Sequence, residues 1–422
     1  MIKILNLSKS NNLIFLDKIL NDRKDRSKTD TSIVSKILKD IKKNKLKAVL
    51  KYEKKFGNNT KVQPDNLEIK KSIQSLNPQI RYAIDLAYTR IEKFHNLQKI
   101  KKIKYVDKFR NKIEYKPIPI NKLGIYVPAN LPSTLLMNAV PAKIAGVRNI
   151  VLANPKMNGK LNPAVMYVAK KCGIKNIINI GGAQAIGYMA YVNKVDKIIG
   201  PGNDYVARAK KEVFGDVGIE GMIAGPSEVT IIADSKSNID HLATSMLAQS
   251  EHGINSQSIL ISKNKSVIQN TKKKLSDIIN ILPRKKIVSQ SLSTNGLLIL
   301  AKNDKQIIDI ANKISPEHLE IITENNNKFL EKILNAGSIG IGKYSPVAAS
   351  DYTVGTNHTL GTLGSARYSS GLNLGDFYKK ISIFNLTKKG IEVIGKQAIT
   401  LAEYENLYAH ALSIKSRIWD FF

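Results

Sequence analysis

Asn149-Ile150-Val151-Leu152-Ala153 is a short apolar, β-branched run, and Asn176-Ile177-Ile178-Asn179-Ile180 follows it after one helix-like segment near 162–172. Strand, helix and strand in that order make a βαβ unit, and its parallel strands must be buried on both faces. The same rhythm extends outward. Residues 123–127 and 197–199 read as further strands, with helices near 134–145 and 183–190. A second series reads as strands at 229–233, 258–262, 297–301 and 338–341, and the break between the series falls near Gly225-Pro226-Ser227. The expected fold is α/β: two Rossmann-like domains with mainly parallel sheets, plus small N- and C-terminal appendages.

The flanks divide further. Residues 1–22 form an arm with too few apolar residues to fold alone. A helical stretch covers 32–56 with an interruption near Lys43-Asn44-Lys45. Asn77-Pro78 then opens a longer amphipathic helix, cap and N1 proline in the favoured order, with Ile80, Ile84, Ala87 and Ile91 on one face. The expected division joins 23–124 to 228–372 as one α/β domain carrying most of the chemical groups. Residues 125–227 form the other domain, and the sheet pattern stops after Leu372, leaving 373–422 as a partly helical tail.

At 422 residues the chain is long enough for two to four domains, and 43% hydrophobic with 24% charged residues are globular proportions. No apolar run approaches the ~18 residues of a membrane helix, and the first residues lack a secretory pattern. One cysteine, Cys172, excludes an internal disulfide and a thiolate metal cage. The formal charge of +32 raises the question of nucleic acid, yet only ten of 66 basic residues are arginine, and the lysines are scattered among abundant Ile and Asn. AT-rich codons account for that composition without a nucleic-acid partner.

The chemistry sits in glycine tracts and histidines. Gly181-Gly182-Ala183-Gln184 and Gly200-Pro201-Gly202-Asn203 each follow a strand, but neither has the spacing of a dinucleotide fingerprint. Of six histidines, His95 and His241 lie in helices without suggestive neighbours. His252, His318, His358 and His410 lie near carboxylates, glycines or proline breaks. Gln249 and His252 are three apart, so they share a helical face and can converge on one ion. A zinc site of nitrogen and oxygen ligands with an open position fits that inventory. Zinc with a carboxylate and a histidine is compatible with hydrolysis, hydration or alcohol oxidation.

Gly225-Pro226-Ser227-Glu228-Val229, Gln249-Ser250-Glu251-His252-Gly253, Ser315-Pro316-Glu317-His318-Leu319, Asp351-Tyr352 with Gly355-Thr356-Asn357-His358, and Glu405 through His410 occur in an order that resembles the histidinol dehydrogenase family. Ile125-Tyr126-Val127-Pro128 and both glycine tracts match as well, so the resemblance spans essentially the whole chain. It implies oxidation of L-histidinol through L-histidinal to L-histidine with two NAD⁺ and one Zn²⁺ per subunit; the lack of a secretory pattern and the single cysteine separately point to the cytoplasm. The implied zinc ligands are Gln249, His252, Asp351 and His410, and the implied catalytic pair is Glu317 and His318. Ser227 and Glu405 join those six as implied substrate contacts, and Tyr126, Gln184 and Asn203 as nucleotide contacts. The resemblance also implies a homodimer, with the N- and C-terminal appendages as dimerisation elements and the tails exchanged, so that His410 and Glu405 serve the other subunit's site. His318 would accept the alcohol proton with a pKa near neutrality, and Glu317 would activate water for the aldehyde step. The competing readings are a zinc hydrolase, which needs no NAD, and an RNA-binding protein, for which no aromatic or KH-type motif is present.

Overall fold

The computed structural model describes residues 2–9, 13–26, 30–57, 59–220 and 225–419. Parts of the expected arm (1, 10–12), of the two expected domains (27–29, 58, 221–224) and of the tail (420–422) lie outside the described residues. The chain opens with β1 (Lys3–Asn6) and α1 (Ile14–Arg26), followed by α2 (Ile33–Phe56), α3 (Asn66–Gln74) and α4 (Pro78–Asn96). A hairpin, β2 (Ile103–Val106) and β3 (Lys112–Pro119), leads into β4 (Lys122–Tyr126), α5 (Pro132–Ala145), β5 (Asn149–Ala153), α6 (Pro163–Lys171), β6 (Asn176–Ile178), α7 (Gly182–Gly187), β7 (Lys197–Ile199), α8 (Asp204–Val213) and β8 (Gly218–Ile219). The next series runs β9 (Glu228–Ala233), α9 (Ile239–Ser250), β10 (Gln257–Ser262), α10 (Lys265–Ile279), α11 (Lys285–Asn295), β11 (Leu297–Leu300), α12 (Asp304–Ile314), β12 (His318–Ile322), α13 (Asn327–Leu330), β13 (Ser338–Ile341) and α14 (Val347–Ser350). The tail holds β14 (Tyr378–Asn385), α15 (Lys388–Tyr404) and α16 (Tyr408–Lys415).

Two parallel sheets result, ordered β6-β5-β4-β7-β8 and β1-β11-β10-β9-β12-β13. Setting β1 aside, the strand order is the same in both: the first strand is central, the next two extend one way and the last two the other. The α/β expectation with mainly parallel sheets therefore holds, and the topology repeats although the sequence does not. β9 and β10 are buried along their whole length, as strands covered on both faces must be.

The expected domain division needs correction. Helices α2 to α4 pack mainly on α5 to α8, the helices that flank the five-stranded sheet. Val34, Ile37, Leu38 and Ile41 share a core with Val151 and Ile178, while Ile84, Ala87 and Ile91 share one with Leu123 and Ile125. Their apolar faces are taken up there, so 23–124 belongs largely with 125–227. The interruption expected in α2 is present: Lys45 stands at φ +49° inside it. Asn77 caps α4 by accepting the Gln79 N–H at 2.8 Å, although Ile80 stays exposed.

The N-terminal arm also departs from expectation. β1 pairs with β11 as the edge strand of the chain's own six-stranded sheet, and Leu16 of α1 is completely buried in that sheet's core. Burying one such side chain contributes roughly 1.5–3 kcal/mol, enough to hold a short segment on its own body. The tail departs in the other direction. After a short 3-10 turn, Leu374–Phe377, it forms a strand, β14, paired antiparallel with β3 from Tyr378↔Pro119 to Asn385↔Lys112. That sheet stands largely exposed, and α15 and α16 pack mainly on each other through Ile399, Ala402 and Ala411.

Candidate active site

Glu317 and His318 lie where α12 turns into β12. Ser315 ends α12 in the left-handed region at φ +49°, and Pro316 prevents the helix from continuing. Gly337 passes directly over this turn; a Cβ there would come within 2.6 Å of the Glu317 carbonyl oxygen. His318 thus begins β12 beside Val229 of β9, which places Glu317 beside Glu228. The two glutamates hold each other. The Glu228 N–H donates to Glu317 Oε2 at 2.8 Å, and the Glu317 N–H donates to Glu228 Oε2 at 3.3 Å.

Gln249 is buried in the last turn of α9, and exposed His252 follows just beyond it. That turn is fixed to β10 by Ser250 Oγ, 2.9 Å from Ser258 Oγ, with both hydroxyls donating to the Met246 carbonyl. Asp351 caps the C-terminus of α14, a helix whose first N–H, on Val347, donates to buried Glu320 at 2.8 Å. The loop beyond is held from the five-stranded unit, where Arg90 of α4 donates to the carbonyls of Thr353 and Val354. His358 Nδ1 lies 2.9 Å from the Asp351 carbonyl, which can only accept, so the proton sits on Nδ1 and Nε2 is left with a lone pair.

The electrostatics follow burial. The Glu317 carboxyl is pushed well above its ordinary range by burial; Glu228 and Asp351 raise it further, while the Glu228 N–H and the Arg23 charge pull it back. Burial pushes Asp351 up to about 7, and among the described residues no neighbouring cation offsets it. The imidazoles move the other way: burial takes His318 to about 3, helped by His358 and His252, and His358 to about 4. His252 is lowered as well, chiefly by desolvation, with the Arg284 charge adding to it and Glu251 opposing it. The expectation of near-neutrality for His318 is therefore corrected. It is neutral throughout the physiological range, and its buried Nδ1 has no hydrogen-bond partner among the described residues.

Several of these groups went unassigned in the sequence reading. Glu228 was visible as a carboxylate opening an otherwise apolar strand, and His358 as one of the four histidines set apart. Arg23 carried no signal, because its role depends on where α1 docks.

Ser227 is half-buried in the turn before β9, its carbonyl accepting the Gln257 N–H at 2.9 Å. The other predicted residues lie elsewhere. Gln184 and Asn203 line a cavity of about 600 Å³ beyond the carboxyl ends of β5, β6 and β7, together with Glu53, Lys156 and the Gly181-Gly182 turn. Tyr126 braces this turn, its hydroxyl accepting the Gly182 N–H at 3.2 Å. Gln184 Nε2 donates to Glu53 at 2.9 Å, and Asn203 caps α8 by accepting the Val206 N–H at 3.1 Å. Gly200, at φ +101°, leaves no room for a side chain because the Tyr126 carbonyl would lie 2.0 Å from a Cβ. A second cavity of about 220 Å³ lies between the ends of β7 and β8 and the 359–372 segment that follows His358.

Glu405 and His410 are both exposed on the tail. Among the described residues of one chain, no three His, Cys, Asp or Glu side chains gather as a metal site, so His410 does not join His252 and Asp351 of its own chain.

Comparison with known proteins agrees across the whole length. Residues 20–418 match the family model described as histidinol dehydrogenase. The chain is 54% identical to the histidinol dehydrogenase of Pelagibacter ubique over 99% of both chains. It is 39% identical to that of Acinetobacter baylyi over 91% of this chain and 92% of the other. The crystal structure of histidinol dehydrogenase from Elizabethkingia anophelis superposes with a TM-score of 0.91 at 37% identity, covering 99% of this chain and 98% of that one.

Proposed function

The chain belongs to the histidinol dehydrogenase family, and from that premise we propose that it oxidises L-histidinol through L-histidinal to L-histidine with two NAD⁺, as a zinc-dependent homodimer. One observation carries the reading: a neutral imidazole, His318, whose buried Nδ1 has no partner among the described residues, is adjacent in the chain to a deeply buried carboxyl group, Glu317. Alcohol oxidation needs a proton acceptor, and aldehyde oxidation also needs an activated water. Side chains of successive residues in extended backbone point apart, so the two groups can serve different atoms of one bound substrate. His318 takes the hydroxyl proton in the first oxidation. Glu317 takes a proton from water as it adds to the aldehyde in the second, and its raised proton affinity suits that task.

The donor set fits a zinc ion. Gln249, His252 and Asp351 offer an amide oxygen, a neutral imidazole and a carboxylate whose burial is not balanced by any cation among the described residues. Bound there, zinc would orient the substrate's imidazole and amine and supply the missing positive charge. His410 of the partner subunit completes the set in this reading, with the exposed tail as the exchanged element. Bound NAD⁺, the hydride acceptor, would occupy the cavity beside Gln184 and Asn203. Among the described residues no helix is long and apolar enough to cross a membrane, and we assign the enzyme to the cytoplasm.

The test is stoichiometric. Purified protein given L-histidinol and NAD⁺ yields two NADH per histidine formed, and a chelator abolishes turnover. One NADH with free histidinal accumulating, or turnover without NAD⁺, would overturn the proposal.

A further inference from the structure

Outside the groups already given roles, one set of side chains is both deeply buried and wired to the catalytic pair. Glu228 is 1% exposed, and Arg23 of α1, 5% exposed, forms an ion pair with its Oε1. The same oxygen accepts the Leu363 N–H at 2.9 Å, while Oε2 accepts the Glu317 N–H. A further Arg23 nitrogen reaches the Pro226 carbonyl at 3.4 Å, in the turn that carries Ser227. We propose that Arg23 and Glu228 are positioning residues for Glu317: Arg23 fixes the Glu228 carboxylate, and Glu228 then fixes Glu317 through its backbone and its side chain at once.

Two buried carboxylates on neighbouring strands repel, and without a cation one of them protonates or turns away. Arg23 supplies that cation from a helix more than two hundred positions earlier in the chain. Its guanidinium fixes the Glu228 carboxylate where the Glu317 and Leu363 N–H groups donate to it. Glu317 can then present one carboxylate oxygen to the Glu228 N–H and keep the other for water. A buried ion pair can also be simply structural, so the readout must separate orientation of Glu317 from loss of folded enzyme.

The inference rests on the two-step reading above, and the ratio of the half-reactions tests it. Oxidation of supplied L-histidinal by NAD⁺ requires water activated by Glu317. Reduction of L-histidinal by NADH runs the alcohol step backwards and requires none. In Arg23→Met the first rate falls relative to the second by ~10–100-fold, the usual effect of a group that orients a working side chain. Glu228→Gln, whose amide must turn an N–H toward one of the donors, shifts the ratio in the same direction. Arg23→Lys, which keeps the charge but not the fork, stays within about threefold of wild type. The ratio does not depend on the active fraction, so a poorly folding variant still reports. An unchanged ratio in both Arg23→Met and Glu228→Gln overturns the proposal. If Glu317→Gln itself leaves the ratio unchanged, the water-activation reading fails first.

Discussion

The two sheets share a strand order yet use opposite edges. In the five-stranded unit the cavity with Gln184 and Asn203 lies at the carboxyl ends of the strands, the edge where α/β folds usually bind ligands. In the six-stranded unit Glu228 and His318 begin their strands, so its ionisable cluster lies at the amino edge. The element order explains the difference: β8 ends at a carboxyl edge, and the next described strand, β9, starts at an amino edge. Helices then sort the charge. The carboxyl edge receives helix N-termini such as that of α8, which favour anionic phosphates. The amino edge receives helix C-termini, those of α9 and α12, whose carbonyls favour cations such as a metal or a substrate ammonium. One topology, used at both of its edges, can thereby hold an anionic cofactor and a cationic substrate.

The largest effects should come from the amino edge. His318→Asn will slow both half-reactions by ~10²–10⁴-fold, whereas Glu317→Gln will slow histidinal oxidation by ~100-fold or more and the alcohol step far less. Rapid-mixing NADH traces that show equal losses in both steps for both variants would remove the division of labour. The tail comes next. A mixed dimer of His318→Asn and His410→Ala subunits should regain about one working site, since one composite site then has every group. Inactive mixtures with proven heterodimers would return His410 to its own chain.

The carboxyl edge should respond differently. Gln184→Ala or Asn203→Ala will raise the KM for NAD⁺ about tenfold, the equivalent of one hydrogen bond, while zinc content by metal analysis stays at the wild-type level. Loss of zinc in these variants would show that the edges are not separable. The smallest effect concerns Lys210 of α8, fully buried with its ammonium on the Gly200 carbonyl and pushed down to about 8 by burial. Its folded pKa lies below the ordinary value of 10.5, so the penalty for burying the charge is absent above about pH 10.5. It grows as pH falls toward about 8. Lys210→Met will therefore gain Tm over wild type by ~1–3 °C below pH 8, and the gain will shrink toward pH 10.5. A pH-independent difference would assign the effect to packing.

Much of the site was legible because its residues come as local words. Gln249 with His252, Glu317 with His318, and both glycine tracts are close in sequence, and the structure sets each beside a strand or helix end as expected. β12 was not legible as a strand: His318 and Glu320 look like a solvent face, yet both are buried. β14 escaped for the opposite reason, since Ile381, Ile383 and Phe384 remain exposed and offer no core pattern.

By itself the sequence determined the βαβ rhythm, the near-identical limits of β5, β7 and β13, the α4 cap and the break in α2, because periodicity and capping are local properties of the chain. Only the tertiary structure decided that α2–α4 pack on the helices flanking the five-stranded sheet, that β1 completes the six-stranded one and that Arg23 reaches Glu228. Those choices depend on which distant apolar faces and buried charges find each other. Nothing within a window of neighbouring residues encodes that.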